Sequence, residues 1–383
     1  MSHRTFSILG TLTIVGMTFP VVAASAQPES APAGTTEALR TAWGEPDLQG
    51  IWNNPSVIPL ERDEVFGTRE FLTAEEVAAA EQELVQDAQG PGRDNRDGIG
   101  TEVDVARAYN EHWFGDPSFT RSTRTSMVVD PPNGRIPPLT PEAERRRRTK
   151  REYLEALLQG TPTRPGTEVS SRRAEPSPDF NLARINRSDG PEDRSGSERC
   201  FGNSLPILLR SGTFGGVMRV VQSPGVVGIY YDIGQGQGFS RSIPITNRLA
   251  LPDHIRLRHG DPRGHWEGDT LVVEVTNFTK KTNYRGSREN LHLIERYRRL
   301  DDSTLSVEIV VEDPTTWTAP WTAVQELALN SDQANQVYEG GCHEGNYGMT
   351  GMLANTRAAE RLFAEGRGSD PATQDNATGG GGR

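Results

Sequence analysis

The sequence predicts a mainly β fold, in which an antiparallel sheet forms a lipocalin-like barrel or a sandwich and α-helices are added on the N-terminal side. Apolar and polar residues alternate in several segments beyond residue 216, as in strands that bury one face. Short turns join these segments, which favours antiparallel pairing of consecutive strands. Gly50 and Trp52 form a Gly-x-Trp pattern. In lipocalin-like barrels this pattern enters the first strand, and the tryptophan closes one end.

The strands follow one another at short intervals. Residues 222–225 read Gln-Ser-Pro-Gly and are typical of a β-turn between two of them. The glycine-rich segment 234–238 leads into another β-like run rather than a helix, so we do not expect a nucleotide site there. The predicted strands are, in order, 217–221, 226–231, 271–275, 291–300, 305–311 and 321–329.

Two helices are predicted before the strand-rich part. Thr73 and Glu76 are spaced as a capping box, which predicts a helix from there to about residue 89. Thr140 followed by Pro141 predicts the start of a second helix, with proline in the first turn.

The second helix carries a block of basic residues at 145–151. Glu144, Arg148 and Glu152 fall four residues apart, which favours a solvated helix face held by ion pairs. A binding patch is the alternative interpretation of the same block.

The first 26 residues predict a signal peptide. Arg4 precedes an apolar run over residues 6–22, and Ala24 and Ala26 provide a cleavage site with small residues. An uncleaved membrane anchor is the alternative, although the run is marginal against the roughly 20 apolar residues of a spanning helix. We therefore expect a periplasmic or secreted protein, with no membrane insertion after cleavage.

Composition divides the chain into six parts. Segments poor in apolar residues and rich in polar residues, proline or glycine are expected to be exposed or disordered. The parts are the signal peptide (1–26), a disordered lead-in (27–40), an N-terminal region with the first strand and two helices packed on the β domain (41–160), an exposed linker (161–197), an antiparallel β domain (198–366) and a flexible tail (367–383).

The formal net charge of −11 at pH 7 restricts the partners. Nucleic acid and anionic membrane surfaces repel an acidic protein. We therefore expect a small-molecule ligand or substrate as the partner, and no nucleic acid. The sequence leaves the oligomeric state open.

Cys200 and Cys342 are the two cysteines of the chain. An exported protein meets an oxidising environment, so we expect the two residues to form a disulfide bond. The alternative is a catalytic thiol at Cys342, because His343 follows it directly and could stabilise a thiolate.

The residues after Cys342 offer the strongest pattern for acid/base chemistry. His343 is suited to act as the general base, since its reference pKa of about 6.5 lies near neutral pH. Tyr347 could donate a hydrogen bond to a developing oxyanion, and Glu344 could orient the imidazole. The alternative is a disulfide-tethered turn whose polar groups satisfy the backbone.

A second polar segment contains His265 and Glu267, which we predict as an additional acid/base pair if the two segments meet. A metal site with His259 and Asp261 is the alternative, but the glycines and proline between these residues are expected to prevent a regular strand. The spacing matches no common zinc pattern, so we predict neither a metal nor another cofactor.

Aromatic residues near the predicted strands could line a ligand cavity. More often such residues are part of the core. The candidates for cavity walls are Trp317, Trp321, Tyr230 and Tyr338.

Six segments together resemble a large family of exported proteins from soil and aquatic bacteria, for which we know of no established activity. The resemblance covers most of the mature chain and implies export and a shared β-rich fold. The sequence of segment 234–249 differs from the one usual in that family. The segments are PDLQGIW (46–52), RTSMVVDPPNGRIPPLTP (124–141), GHWEGDTLVVEVTNF (264–278), GSRENLHLIER (286–296), DPTTWTAPW (313–321) and 338–349, which contains CHEGNYGM.

The sequence therefore favours an exported enzyme without a cofactor: a lyase, isomerase or hydrolase that uses acid/base chemistry on a small aromatic or glycosidic compound. A non-catalytic protein that binds a small ligand, with the same cavity and no chemistry, is the first alternative. A protein that interacts with the cell envelope is the second.

Overall fold

Alternating apolar residues give each strand one buried face, and the strands pair into a single antiparallel sheet. The computed structural model describes residues 39–88, 123–160, 175–179, 188–196, 198–200, 204–210, 216–233, 238–330 and 347–373, together with residues 166, 168, 171, 182 and 337. All of them belong to one unit, residues 38–383.

Nine of the described strands follow one another around a nearly closed barrel in the order β5-β4-β3-β1-β10-β9-β8-β7-β6, and β2 pairs with β10 beside this path. The barrel confirms the predicted mainly β fold. The strands are β1 (Gly50–Asn53), β2 (Val128–Asp130), β3 (Val217–Ser223), β4 (Val226–Asp232), β5 (Phe239–Pro244), β6 (Asp261–Glu267), β7 (Thr270–Thr276), β8 (His292–Arg299), β9 (Thr304–Glu312) and β10 (Trp321–Leu329).

The barrel closes where its two outermost strands, β5 and β6, approach each other. Ile245 and Gly264 form a parallel bridge there, and the Thr246 amide donates a hydrogen bond of 2.9 Å to the Gly264 carbonyl. A Cβ atom at residue 264 would lie only 2.9 Å from side-chain carbons of both Ile243 and Ile245. Glycine therefore permits the close approach that joins the two edges.

Strand β6 corrects one prediction. The glycines and proline near residue 262 were expected to prevent a regular strand, yet β6 pairs with β7 along its whole length, with Pro262 opposite Val275. Proline lacks an amide donor but is tolerated on an edge strand, where one side of the backbone needs no ladder partner. Strand β6 is such an edge, because its continuous ladder lies on the β7 side.

One end of the barrel, called the closed end here, carries the tight β3–β4, β6–β7 and β8–β9 hairpins. Trp52 is fully buried near this end, and its indole Nε1 donates a hydrogen bond of 3.0 Å to the Leu48 carbonyl. The Arg299 guanidinium lies 5.3 Å from the centre of the indole ring and donates a hydrogen bond to the Asp47 carbonyl. The Gly-x-Trp pattern thus lies in the first strand of the barrel, while its burial fits both a tryptophan that closes one end and an ordinary core tryptophan.

Both predicted helices are present: α1 (Ala74–Ala88) and α2 (Pro141–Leu157). The Glu76 amide donates to the Thr73 hydroxyl and the Thr73 amide donates to the Glu76 carboxylate, as the capping box requires. At the start of α2, the Thr140 hydroxyl accepts a hydrogen bond of 3.2 Å from the Ala143 amide. These caps satisfy amide groups that a helix start leaves unpaired.

The basic block of α2 forms ion pairs different from the predicted ones. Glu142 pairs with Arg146 at 2.7 Å and Glu144 pairs with Arg147 at 2.8 Å. Among the described residues, no ion pair links Glu144 to Arg148. Arg146 is bound from two sides, because its guanidinium also donates to the Thr315 carbonyl across 3.2 Å.

A third helix, α3 (Tyr347–Ala364), is not predicted by the sequence. None of the helices that the structure describes is both long and apolar enough to cross a membrane. The predicted signal peptide lies outside the described residues.

Candidate functional site

The barrel end opposite the closed end, called the loop end here, carries the long β7–β8 and β9–β10 connections. Helix α2 begins there, and hydrogen bonds to backbone carbonyls attach its start to the β9–β10 connection. The Thr140 amide donates to the Thr316 carbonyl and the Thr140 hydroxyl donates to the Thr315 carbonyl, both across 2.9 Å. Leu139 also forms a β-bridge with Trp317. The first turn of α2 is therefore fixed over the loop end.

Asp313 joins the two long connections of the loop end. Its buried carboxylate accepts hydrogen bonds of 2.6–2.7 Å from the hydroxyls of Ser287, Thr315 and Thr316, and one of 2.8 Å from the Thr315 amide. Burial raises the pKa of Asp313, but these hydrogen bonds outweigh it and keep the pKa below its ordinary value. The ionised carboxylate thus stabilises this end of the barrel.

A tight turn in the β7–β8 connection presents Arg285 towards α2. Tyr284 and Ser287 exchange two backbone hydrogen bonds of 2.9 Å, and the two residues between them, Arg285 and Gly286, both have positive φ angles, 51° and 97°. Positive φ at both central residues is the mark of a primed hairpin turn. The Asn283 side chain accepts a hydrogen bond from the Gly286 amide and so supports the turn.

Between this turn and α2 lies a cleft of about 630 Å³. Such a volume is typical of sites for small ligands. Among the described residues, two carboxylates line the cleft, those of Glu142 and Asp179. Seven cationic side chains line it, contributed by Arg145, Arg146, Arg147, Lys150, Arg151, Arg285 and Arg288.

The positive charge of the cleft exceeds what its own carboxylates can neutralise. Glu142 is already paired with Arg146. No carboxylate of the described residues forms an ion pair with Arg145 or Arg151, and both side chains are exposed. Guanidinium groups bind carboxylate, phosphate and sulfate through paired N–H donors. The cleft is therefore suited to an anion that carries more than one charge.

Asp179 forms the floor of the cleft. Its buried carboxylate accepts hydrogen bonds from Asn283 (3.1 Å) and Arg288 (3.2 Å), and the Lys150 ammonium lies 4.0 Å away. The carboxylate holds segment 175–179, the β7–β8 turn and α2 together. It also orients Arg288 and Lys150. With Arg146 paired to Glu142 and Arg147 to Glu144, the cations without a carboxylate partner among the described residues are Arg145, Arg151 and Arg285.

An aromatic layer lies close to the cleft, at the entrance to the barrel core. The rings of Tyr284 and Trp321 are stacked with their centres 6.3 Å apart, and Trp317 meets Trp321 edge-on at 5.9 Å. Burial raises the pKa of Tyr284, although the neighbouring Arg285 opposes the rise. Trp317 and Trp321 are buried in the barrel core and do not line the cleft.

The other predicted cavity residues lie elsewhere. Tyr230 alternates in β4 with the buried Ile229 and Tyr231, so its side chain lies on the opposite face of the sheet. Tyr338 lies outside the described residues.

Inside the barrel, four polar side chains form a buried cluster. Arg241 donates hydrogen bonds to Glu295 and to the Tyr297 hydroxyl (2.8 Å), and Tyr297 in turn donates to Glu295 (3.1 Å). The Tyr231 hydroxyl lies 3.3 Å from that of Tyr297. Burial raises the pKa of both phenols, so they remain protonated at neutral pH.

This lumen cluster links β5 to β8 across the barrel interior. The Arg241 and Glu295 side chains are only 4% and 1% exposed. The Nε and Nη1 atoms of Arg241 have no hydrogen-bond partner in the described part of the chain. Buried donors of this kind are commonly satisfied by ordered water. Because dissolved molecules cannot reach these side chains without opening the barrel, we interpret the cluster as structural.

The predicted acid/base residues are only partly described. His343 and Glu344 lie outside the described residues, and Tyr347 is the first residue of α3, with 83% of its surface exposed. His265 and Glu267 lie on β6 with 3.1 Å between Nε2 and Oε1, and both side chains are about half exposed. The structure therefore leaves the meeting of the two predicted segments untested.

The residues of the alternative metal site serve other contacts. His259 stacks on Phe239 with ring centres 4.0 Å apart, and Asp261 binds Arg248. Within the described residues, no group of three or more histidine, cysteine, aspartate or glutamate side chains could hold a metal ion.

Cys200 is buried, and the described part of the chain contains no free cysteine. Cys342 lies outside the described residues. The disulfide bond between the two residues stays a prediction.

Sequence reasoning missed Arg285 and Arg288 as site residues. Their segment, Asn-Tyr-Arg-Gly-Ser-Arg at 283–288, shows only a turn between two strands. The basic block of α2 lies more than 130 residues earlier in the chain, and no local pattern indicates that the two segments face each other.

Comparison with known proteins gives no direct guide to the ligand. No protein-family model matches the chain, and no curated protein is significantly similar to it. The site must therefore be interpreted from its own geometry and charge.

Proposed function

We propose that this protein is an exported, ligand-binding protein that takes up a small organic or inorganic molecule with several negative charges in the cleft between α2 and the β7–β8 turn. The observation that carries the proposal is the charge of the cleft: among the described residues, seven cationic side chains face two carboxylates in about 630 Å³. Grouping these cations in one concavity costs electrostatic energy in the empty protein. A multiply charged anion would remove that repulsion.

The positive charge of the cleft contrasts with the negative net charge of the whole chain. The protein is acidic, at −11, so its distant field repels anions in general. Binding in the cleft would therefore depend on short-range contacts with arginine and lysine rather than on long-range attraction. We expect selectivity for compact groups such as carboxylate, phosphate or sulfate, which match the guanidinium fork.

Isothermal titration calorimetry with tripolyphosphate and citrate tests the proposal on the full mature chain. Arg145→Gln and Arg151→Gln remove cations of the cleft that have no carboxylate partner in the described residues, and Arg148→Gln removes an exposed cation of the same helix that does not line it. Glutamine and arginine have similar helix propensities, so the helix is preserved in all three variants.

The double variant Arg145→Gln/Arg151→Gln is expected to bind about tenfold more weakly, since each partly exposed charge contributes up to about 1 kcal/mol and about 1.4 kcal/mol corresponds to a factor of ten. Arg148→Gln should stay within about twofold of the parent protein, because any remaining effect is screened by salt. Equal weakening in the control and the cleft variants would contradict the assignment of the site.

The acid/base enzyme predicted from the sequence depends on His343 and Glu344, and it stays a prediction. Recovery of the bound ligand after long incubation separates the two functions. An unchanged ligand fits a binding protein, whereas a chemically altered one would require catalysis and overturn the non-catalytic part of the proposal.

A further inference from the structure

We infer that the ligand of the cleft is an extended acidic oligosaccharide with one carboxylate per sugar ring, rather than a compact anion. This inference rests on the proposed function, because it assumes that the cleft binds anions. It concerns the shape of the ligand and the spacing of its charges. The net charge of the cleft alone does not determine either property.

The first observation is the length of the cleft. Its wall on α2 extends from Glu142 to Leu154, twelve residues apart. At about 1.5 Å per residue, this wall is about 18 Å long, or slightly more than three helical turns. A compact anion such as citrate would contact one turn and leave most of this wall unoccupied.

The second observation is the spacing of the cations along that wall. Arg146 and Lys150 lie four residues apart, and so do Arg147 and Arg151. Residues at this spacing are neighbours on one helix face, about 5–6 Å apart at Cβ. A sugar ring in an extended chain advances by a similar distance, whereas adjacent phosphates of a polyphosphate chain are closer together. One carboxylate per ring therefore matches the repeat of the helix.

The third observation is the chemistry of the remaining wall. No phenylalanine, tyrosine or tryptophan side chain lines the cleft, as far as the described residues show. Recognition by stacking, which single-stranded nucleic acid requires, is therefore unsupported. The exposed hydroxyl of Thr149 can bind a sugar hydroxyl between the charged contacts, and the Asn283 amide has a second N–H donor beyond its hydrogen bond to Asp179.

A length series tests the inference on the full mature chain. Dissociation constants are measured by calorimetry for a uronic acid, its dimer, trimer, tetramer and hexamer, with neutral oligosaccharides of the same lengths and tripolyphosphate for comparison. We expect affinity to rise at least tenfold from monomer to trimer and to level off at about four rings, because the cleft accommodates about three to four units of one helical turn each.

The variants Arg151→Gln and Arg148→Gln locate the effect. Arg151→Gln should reduce the affinity for the tetramer about three- to fivefold and leave that for the monomer within about twofold, since a single ring can bind to the remaining cations. Arg148→Gln should leave the whole length series unchanged. This contrast indicates an extended ligand along the α2 wall.

Four results would overturn the inference, and they separate it from the proposed function. Equal affinity for monomer and tetramer, with Arg145→Gln and Arg151→Gln still weakening both, would refute the extended ligand and retain the anion site. Tighter binding of tripolyphosphate than of the tetramer would have the same meaning. Failure of every anion to bind, or equal binding of neutral oligosaccharides, would refute both proposals.

Discussion

Glu295→Gln is expected to destabilise the protein by about 3–5 kcal/mol, the usual cost of removing one partner from a buried ion pair. The substitution keeps the size of the side chain and its capacity to accept a hydrogen bond from Tyr297. It removes the negative charge that faces Arg241, whose side chain is 4% exposed. The guanidinium would then be a buried cation without a counter-charge.

The electrostatic interaction gives the same order of magnitude. Two unit charges about 4 Å apart attract each other by about 4 kcal/mol at an effective dielectric constant of about 20. Burial lowers the pKa of Arg241 in the parent protein, but the Glu295 carboxylate outweighs this effect and keeps the pKa well above its ordinary value. Arginine keeps its proton in proteins at neutral pH, so the guanidinium of the variant cannot avoid this cost by becoming neutral.

Urea unfolding at pH 7, followed by far-UV circular dichroism, measures the loss. Glu308→Gln is the matched control, because Glu308 on β9 pairs with Arg296 at 3.4 Å and both side chains are more than a third exposed. An exposed pair of this kind contributes at most about 1 kcal/mol. The double variant Arg241→Met/Glu295→Leu should recover part of the loss, since apolar replacements of a buried pair are often neutral.

Equal losses for Glu295→Gln and Glu308→Gln, within about 0.5 kcal/mol, would refute the reasoning. That result would mean that water screens the lumen cluster as effectively as it screens the surface of the barrel.

Three further predictions concern the elements that shape the site. Asp313→Asn should destabilise the protein by about 1–3 kcal/mol at pH 7. Because the pKa of Asp313 is lowered in the folded protein, the ionised carboxylate stabilises the fold at pH values above its unfolded pKa of about 3.9. The difference in stability between parent and variant should therefore shrink in acid unfolding as the pH falls below that value. Gly264→Ala should cost about 1–3 kcal/mol in urea unfolding, because the new methyl would lie 2.9 Å from carbons of Ile243 and Ile245, and an unchanged midpoint would show that the barrel is not tightly closed there. Thr140→Ala should cost about 1 kcal/mol through loss of the cap of α2; it should also weaken anion binding in calorimetry, and unchanged affinity would mean that the cap does not position the cleft.

Much of the barrel could be predicted from local patterns. The strand at Trp321–Leu329 coincides with its predicted range, and the hairpin of β8 and β9 lies where alternation and the turn at 301–303 indicate. Alternation is reliable here because one face of each strand is buried, which imposes a period of two on the side chains. Helices α1 and α2 were predictable for a similar reason, since their capping residues act within one turn.

Strand β6 and helix α3 were not predictable in this way. The sequence of β6 contains Pro262 and Gly264, which disfavour a strand locally, and only the position of β6 at the seam of the barrel makes them acceptable. The residues of α3 follow a segment interpreted as a turn beside Cys342, and no described side chain of α3 is buried. Neither β6 nor α3 has a clear pattern of buried residues from which it could be predicted.

The sequence alone determined the strand pattern, the acidic charge and the two helix starts, because each of these depends on neighbouring residues or on composition. Only the tertiary structure decided where the basic block of α2 faces. Thr140, Asp313 and the turn at Arg285 come from separate parts of the chain, and their hydrogen bonds bring seven cations into one cleft. Facing charges are a property of spatial arrangement, which periodicity along the chain does not encode.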